Sequence, residues 1–302
     1  MTNQPLRGIF AAVLTPILEN GTLDLASLSA HAKGLLERGC HGVSLFGTTG
    51  EGPGFTTEER MQGLEAALSA GISADKILPA TGCVALPDTI KLTKHALEHG
   101  CNNILLMPPF FFKSLTDDQV FAFFSKVITE VNDSALQVYL YNFPAVTGVL
   151  ISPNVIARLV EAFPTTIAGV KDSSGEWDYM MEIRNRCPDI AVFTGWEALV
   201  PKLLAAGGAG NISGVANVAP ELLRDLFDRV PAATDDKVLN GVEHIVAAVT
   251  SSPVTPALKA ILADQTQQAE WEAIRVPNLP IDDEEKKKLL SAFAHGKSMA
   301  GF

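Results

Sequence analysis

A lysine, a tyrosine and a hydroxyl-rich turn, far apart in 302 residues, carry most of the chemistry this sequence offers. Lys171 directly follows the apolar run Ile167-Ala168-Gly169-Val170. An amine held at the end of a buried strand loses solvation, which favours its neutral, nucleophilic form. The competing reading is a structural lysine paired with Asp172. Tyr141 ends another apolar run and precedes Asn142-Phe143-Pro144, a turn opener; it reads as an acid–base group or as a core tyrosine. Gly47-Thr48-Thr49-Gly50-Glu51 is a turn whose backbone N–H groups and hydroxyls suit a carboxylate or phosphate. It lacks the Lys-Ser or Lys-Thr that completes a P-loop. Glu197 lies two residues beyond Gly195, after a further run. It reads either as a contact to substrate hydroxyls or as an acid satisfied at a helix N-terminus.

These residues need a scaffold that brings strand ends together. Short apolar runs recur at Ile9–Leu14, Gly42–Phe46, Ile77–Ala80, Asn103–Met107, Gln137–Tyr141, Thr166–Val170, Ile190–Phe193 and Gly210–Gly214. Each gap accommodates one helix and two loops, and the runs are continuous rather than alternating, as in strands buried on both faces. The pattern predicts an α/β fold, a (β/α)₈ TIM barrel. There, active-site residues sit at the carboxyl ends of strands, which is where Lys171, Tyr141, the Gly47–Glu51 turn and Glu197 fall. Helix signals lie between the runs: Thr56-Thr57-Glu58-Glu59 and Ser152-Pro153 read as capped starts, and Gly39, Gly71, Gly100 and Gly207 as stops. An open doubly wound sheet is the alternative, but no GxGxxG fingerprint supports it. From residue 232 to 302 the pattern is helical only, with candidates at Asp235–Val249, Pro256–Ala263 and Asp282–His295. The barrel is therefore assigned to 1–231 and a packed C-terminal helical extension to 232–302.

Composition narrows the function. The chain is 47% hydrophobic and 19% charged, a globular balance, and its net charge of −11 argues against nucleic acid or anionic membrane as a partner. No stretch reads as a membrane span. Cys40, Cys83, Cys101 and Cys187 form no CxxC pair, so reduced thiols in a cytoplasmic enzyme are expected. The six histidines form no HxH or HExxH. His95 and His99 are spaced to share one face of an outer helix and read as a surface pair. Neither a metal nor a cofactor is expected.

Together, Gly47-Thr48-Thr49-Gly50-Glu51, Tyr141-Asn142-Phe143-Pro144 and Gly169-Val170-Lys171-Asp172 resemble the dihydrodipicolinate synthase / N-acetylneuraminate lyase superfamily of class I pyruvate-dependent aldolases. The three motifs occur in order on the expected strands. The resemblance implies a barrel with a helical extension, assembled as a homotetramer (a dimer of dimers). It implies that Lys171 forms a Schiff base with pyruvate or a 2-oxo acid and that Tyr141 shuttles protons. It also implies that Gly47, Thr48 and Thr49 hold the carboxylate and that Ile212 faces the site through its carbonyl. A protonated imine is an electron sink, so the carbon–carbon bond beta to it breaks or forms without a metal.

Within the superfamily, synthases resemble the pattern YNVPxRTG, whereas this chain has Val146 at the arginine position. An aliphatic group cannot grip a carboxylate by charge. Sialic acid lyases carry an Asp-Glu pair where this chain has Trp196-Glu197. The Pro108–Phe112 and Val138–Pro144 strings look closest to 2-keto-3-deoxygluconate aldolases. The segment Pro109-Phe110-Phe111-Phe112 replaces one in which many members place a relay tyrosine. The expected function is thus a lyase acting on a 2-keto-3-deoxy sugar acid. The alternatives are a dihydrodipicolinate synthase, an N-acetylneuraminate lyase, a keto-deoxy sugar acid dehydratase or a noncatalytic sugar-acid sensor.

Overall fold

The computed structural model describes residues 5–229 and 236–302. Seven parallel strands, β1 (Gly8–Ala12), β2 (Gly42–Ser44), β3 (Asn103–Leu106), β4 (Gln137–Asn142), β5 (Ile167–Asp172), β6 (Ala191–Thr194) and β7 (Gly210–Ser213), run in the order β2-β1-β7-β6-β5-β4-β3. The third expected run, Ile77–Ala80, fills the gap between β2 and β3. Leu78 and Ala80 donate to Val43 O and Leu45 O at 2.8 and 2.9 Å, and Pro79 O accepts from Leu105 N at 3.0 Å. Pro79 has no N–H to donate, so this stave is held by isolated bridges rather than a continuous ladder. The result is a nearly closed barrel with eight staves.

Helices α1 (Leu25–Glu37), α2 (Thr57–Ser69), α3 (Leu86–Glu98), α4 (Asp117–Val131), the single turn α5 (Pro144–Thr147), α6 (Pro153–Ala162), α7 (Trp177–Arg186), α8 (Val200–Ala205) and α9 (Pro220–Asp228) surround it. The predicted signals operate. Thr56 and Glu59 form a reciprocal capping box, Ser152 caps α6 ahead of Pro153, and Gly39, Gly71, Gly100 and Gly207 all have positive φ. Phe10, Leu78, Leu105, Tyr139, Phe193 and Ile212 pack inside the barrel. The Tyr139 hydroxyl accepts from Leu6 N at 2.7 Å and closes the floor.

The extension comprises α10 (Lys237–Thr250), α11 (Val254–Thr266) and α12 (Asp283–Ala300). All three expected helices are present. α11 begins two residues before Pro256, and α12 continues to Ala300 because its amphipathic face goes on packing: Phe293, Gly296 and Ala300 are buried. The expected boundary at 231/232 falls outside the described residues. Arg275 ties the extension to the barrel through an ion pair with Glu59 and a 2.8 Å bond to Gly21 O. No single helix among the described residues is long and apolar enough to cross a membrane.

The β1–β7 seam depends on backbone contact. Gly210 has φ +144°, and a Cβ there would lie 2.0 Å from Gly8 O. Gly210→Ala is therefore expected to cost about 3 kcal/mol or more in urea unfolding; a wild-type midpoint would contradict this packing.

Candidate active site

Strand register brings the principal groups together. Tyr141 on β4 and Lys171 on β5 are direct register partners, so their side chains enter the barrel in one layer. Lys171 is 4% exposed, and its Nζ lies 4.3 Å from the centroid of the Tyr141 ring. One layer below, Gly169 is required: a Cβ there would meet the Tyr139 ring at 2.6 Å. Alternation turns Asp172 to the other face of β5, where Asn142 Nδ2 donates to it at 2.8 Å and Ser174 Oγ at 2.8 Å. Burial pushes the Asp172 carboxyl up, against these hydrogen bonds. The sequence alternative of a Lys171–Asp172 pair is therefore not what the chain forms.

The Gly47–Glu51 turn closes on itself through Glu51 N to Thr48 O and Gly52 N to Gly47 O, both 3.0 Å. The Thr48 and Thr49 N–H groups donate to no other described backbone group. The Thr48 hydroxyl lies 3.0 Å from Tyr141 OH, either oxygen being able to donate. A hydroxyl chain thus runs from the turn to the layer that holds Lys171.

These groups open on a cavity of about 400 Å³, lined also by Thr49, Ile212 and Glu197. Gly47 lies at the start of the turn and lines a smaller adjoining cavity together with Thr48 and Tyr141. Glu197 begins a short 3₁₀ turn and is 5% exposed. Its Oε1 accepts from Ser213 Oγ at 2.5 Å. Burial pushes its carboxyl up, while the Ser213 hydroxyl, the Glu197 and Val215 N–H groups and the charge of Lys171 oppose that shift.

Several wall residues carry no signal in the sequence. Trp196, held by Nε1 to Ser173 O at 3.2 Å, flanks the mouth. Val249, Thr250, Thr255 and Asn278 come from the extension and complete the wall. No local pattern marks them, because their position depends on how α10 and α11 dock. Far from the mouth, His95 Nε2 lies 2.8 Å from Glu65 Oε1, and the His95 and His99 rings are 4.3 Å apart.

A buried lysine, a tyrosine and an anion-suited turn thus converge at the carboxyl ends of parallel strands, where barrel enzymes carry their active sites. The dihydrodipicolinate synthetase family model matches residues 5–295. The chain is 35% identical to an uncharacterised DapA-like lyase of Chloroflexus aurantiacus over 98% of both proteins. It is 27% identical, over 94% of both, to the 2-dehydro-3-deoxy-phosphogluconate/2-dehydro-3-deoxy-6-phosphogalactonate aldolase of Sulfurisphaera tokodaii. Among solved structures, the dihydrodipicolinate synthase of Agrobacterium tumefaciens superposes with a TM-score of 0.88 at 35% identity, covering 95% of this chain and 98% of that one. The chain belongs to the dihydrodipicolinate synthetase family, and it is a carbon–carbon lyase of the pyruvate-dependent aldolase superfamily.

Burial of Glu197 gives a pH prediction. A carboxyl raised in the folded state binds its proton there more tightly than in the unfolded chain. Its contribution to stability is present below the ordinary carboxylate value and is lost as pH rises through the folded value. Glu197→Gln is therefore expected to gain stability relative to wild type as pH rises above about 4.5, with the gain levelling off beyond the folded value. Denaturant unfolding across this range measures it, and parallel pH profiles would contradict the assignment.

Proposed function

We propose that the protein is a class I aldolase in which Lys171 forms a Schiff base with pyruvate or the 2-oxo end of a larger acid. The observation that carries this reading is the single layer shared by the buried Lys171 and Tyr141, with the Thr48 hydroxyl 3.0 Å from Tyr141 OH. The Lys171 amine adds to the keto carbon to give a carbinolamine, and water leaves to give a protonated imine. Cleavage of the carbon–carbon bond beta to it sends the electron pair into the imine and releases an aldehyde. The enamine left on Lys171 takes up a proton at its terminal carbon to regenerate the imine, whose hydrolysis returns pyruvate and the free amine. Tyr141 moves protons to and from the carbinolamine and the substrate hydroxyl. Thr48 and Thr49 receive the carboxylate through N–H groups and hydroxyls, and Ile212 borders the keto carbon from β7.

The second substrate in this reading is the aldehyde half of a 2-keto-3-deoxy sugar acid. The Pro108–Phe112 and Val138–Pro144 strings and the 27% identical aldolase support it. The extension brings the neutral Thr250 to the cavity wall, which suits a hydroxyl, with Glu197 a further partner for the distal end. The solved synthase at 35% identity favours a second reading, dihydrodipicolinate synthesis. Val146 and the lack of any cation other than Lys171 among the described wall residues weigh against it, since that reaction adds an aldehyde bearing its own carboxylate.

A homotetramer accompanies this reading. Phe111 and Phe112, their rings 5.5 Å apart, are 71% and 53% exposed, apolar side chains that suit subunit contact. Phenylalanine cannot relay a proton, so water or a substrate hydroxyl completes the chain from Thr48 and Tyr141. The four cysteines are free thiols, which suits the cytoplasm.

Pyruvate release from a panel of 2-keto-3-deoxy acids, compared with condensation of pyruvate and aspartate semialdehyde, tests the substrate assignment. Turnover of a sugar acid with weak synthase activity is expected; efficient synthase turnover with inert sugar acids would reverse it. In the same assay Tyr141→Phe should lose about 10²-fold or more in kcat, the usual scale of acid–base catalysis, and unchanged turnover would remove Tyr141 from the proton path.

A further inference from the structure

Glu51 occupies a backbone position that disfavours it. Its φ is +54°, in the left-handed region that glycine or asparagine enters at least cost. Its side chain is nonetheless almost wholly buried, and so is that of Lys259 on α11: 7% and 1% exposed, with Oε2 and Nζ 3.0 Å apart. Two further bonds satisfy the pair. Lys259 Nζ donates to Ala273 O at 2.8 Å, and Asn278 Nδ2 donates to Glu51 Oε1 at 3.2 Å. One turn earlier on the same face of α11, the Thr255 hydroxyl donates to Thr49 O at 3.2 Å. The turn facing the cavity is therefore gripped from behind at two points by one helix of the extension.

A buried ion pair is an expensive way to gain stability, and an apolar pair of similar volume often serves as well. What it supplies here is direction. The carboxylate draws Glu51 toward α11 and fixes the left-handed residue that ends the turn. That in turn fixes where the Thr48 and Thr49 N–H groups and the Thr48 hydroxyl lie relative to Tyr141.

We propose that Glu51 and Lys259 are positioning residues that hold the Thr48–Thr49 turn in its carboxylate-receiving form, so that the helical extension is a working part of the site. The proposal rests on the aldolase reading for its ligand, pyruvate, but not for its geometry. The test is the double variant Glu51→Gln/Lys259→Met, which removes both charges and leaves neither buried alone. Two readouts are taken: KM for pyruvate against kcat in condensation with glyceraldehyde, and native-state hydrogen exchange of the Gly47–Gly52 amides. The expected result is a KM raised about tenfold or more, the scale of a lost charge-assisted contact, with a smaller change in kcat and faster exchange confined to the turn. Should the double variant not fold, Thr255→Val removes only the hydroxyl on Thr49 O and should move both readouts in the same direction by less. Wild-type KM and wild-type exchange in a folded variant, even with a lowered melting temperature, would overturn the proposal and leave the pair merely structural. If the wild-type protein does not use pyruvate, exchange alone decides: faster exchange upholds the clamp while the aldolase reading falls.

Discussion

A lysine side chain held almost out of water, with the neighbouring carboxylates engaged elsewhere, is the constraint around which this structure is arranged. Around Lys171 the pairing is withheld: Asp172 faces the opposite side of β5 toward Asn142 and Ser174, and Glu197 is bound to Ser213. What faces the amine is the Tyr141 ring, whose π-face tolerates a cation without fixing it by charge. Lys171 thus makes no direct ion pair with either neighbouring carboxylate, in contrast to Lys259, which is paired with Glu51 at 3.0 Å.

That arrangement follows from parallel strands in register. Side-chain alternation along β5 separates Lys171 from Asp172, and pairing with β4 puts Tyr141 beside the amine. Gly169 leaves space for Tyr139, and Tyr139 with Leu6 seals the floor beneath. The helices outside contribute by holding the staves, and the extension contributes directly, since α10 and α11 supply part of the cavity wall and α11 grips the turn from behind.

Much of this was legible from the chain because it is local. Eight apolar runs, capping residues such as Thr56 and Ser152, and terminal glycines such as Gly39 report their own conformations. Lys171, Tyr141 and Thr48 could be grouped because strand ends converge in a barrel. The third stave was legible as an apolar run, but its break was not, since only the ladder reveals what the missing Pro79 N–H does. Other features have no local signature. Ser213 meets Glu197, and Lys259 meets Glu51, only after distant elements dock. The contribution of Thr250, Thr255 and Asn278 depends on how the extension is laid across the barrel.

Lys171 is the amine proposed to meet the keto carbon. Borohydride reduction in the presence of pyruvate, followed by peptide mass mapping, reports this directly by freezing the imine as a stable amine. One reduced pyruvyl group per chain on Lys171, abolished in Lys171→Met, is the predicted result. An adduct on another lysine with Lys171 unmodified, or no pyruvate-dependent adduct while the enzyme turns over, would contradict it.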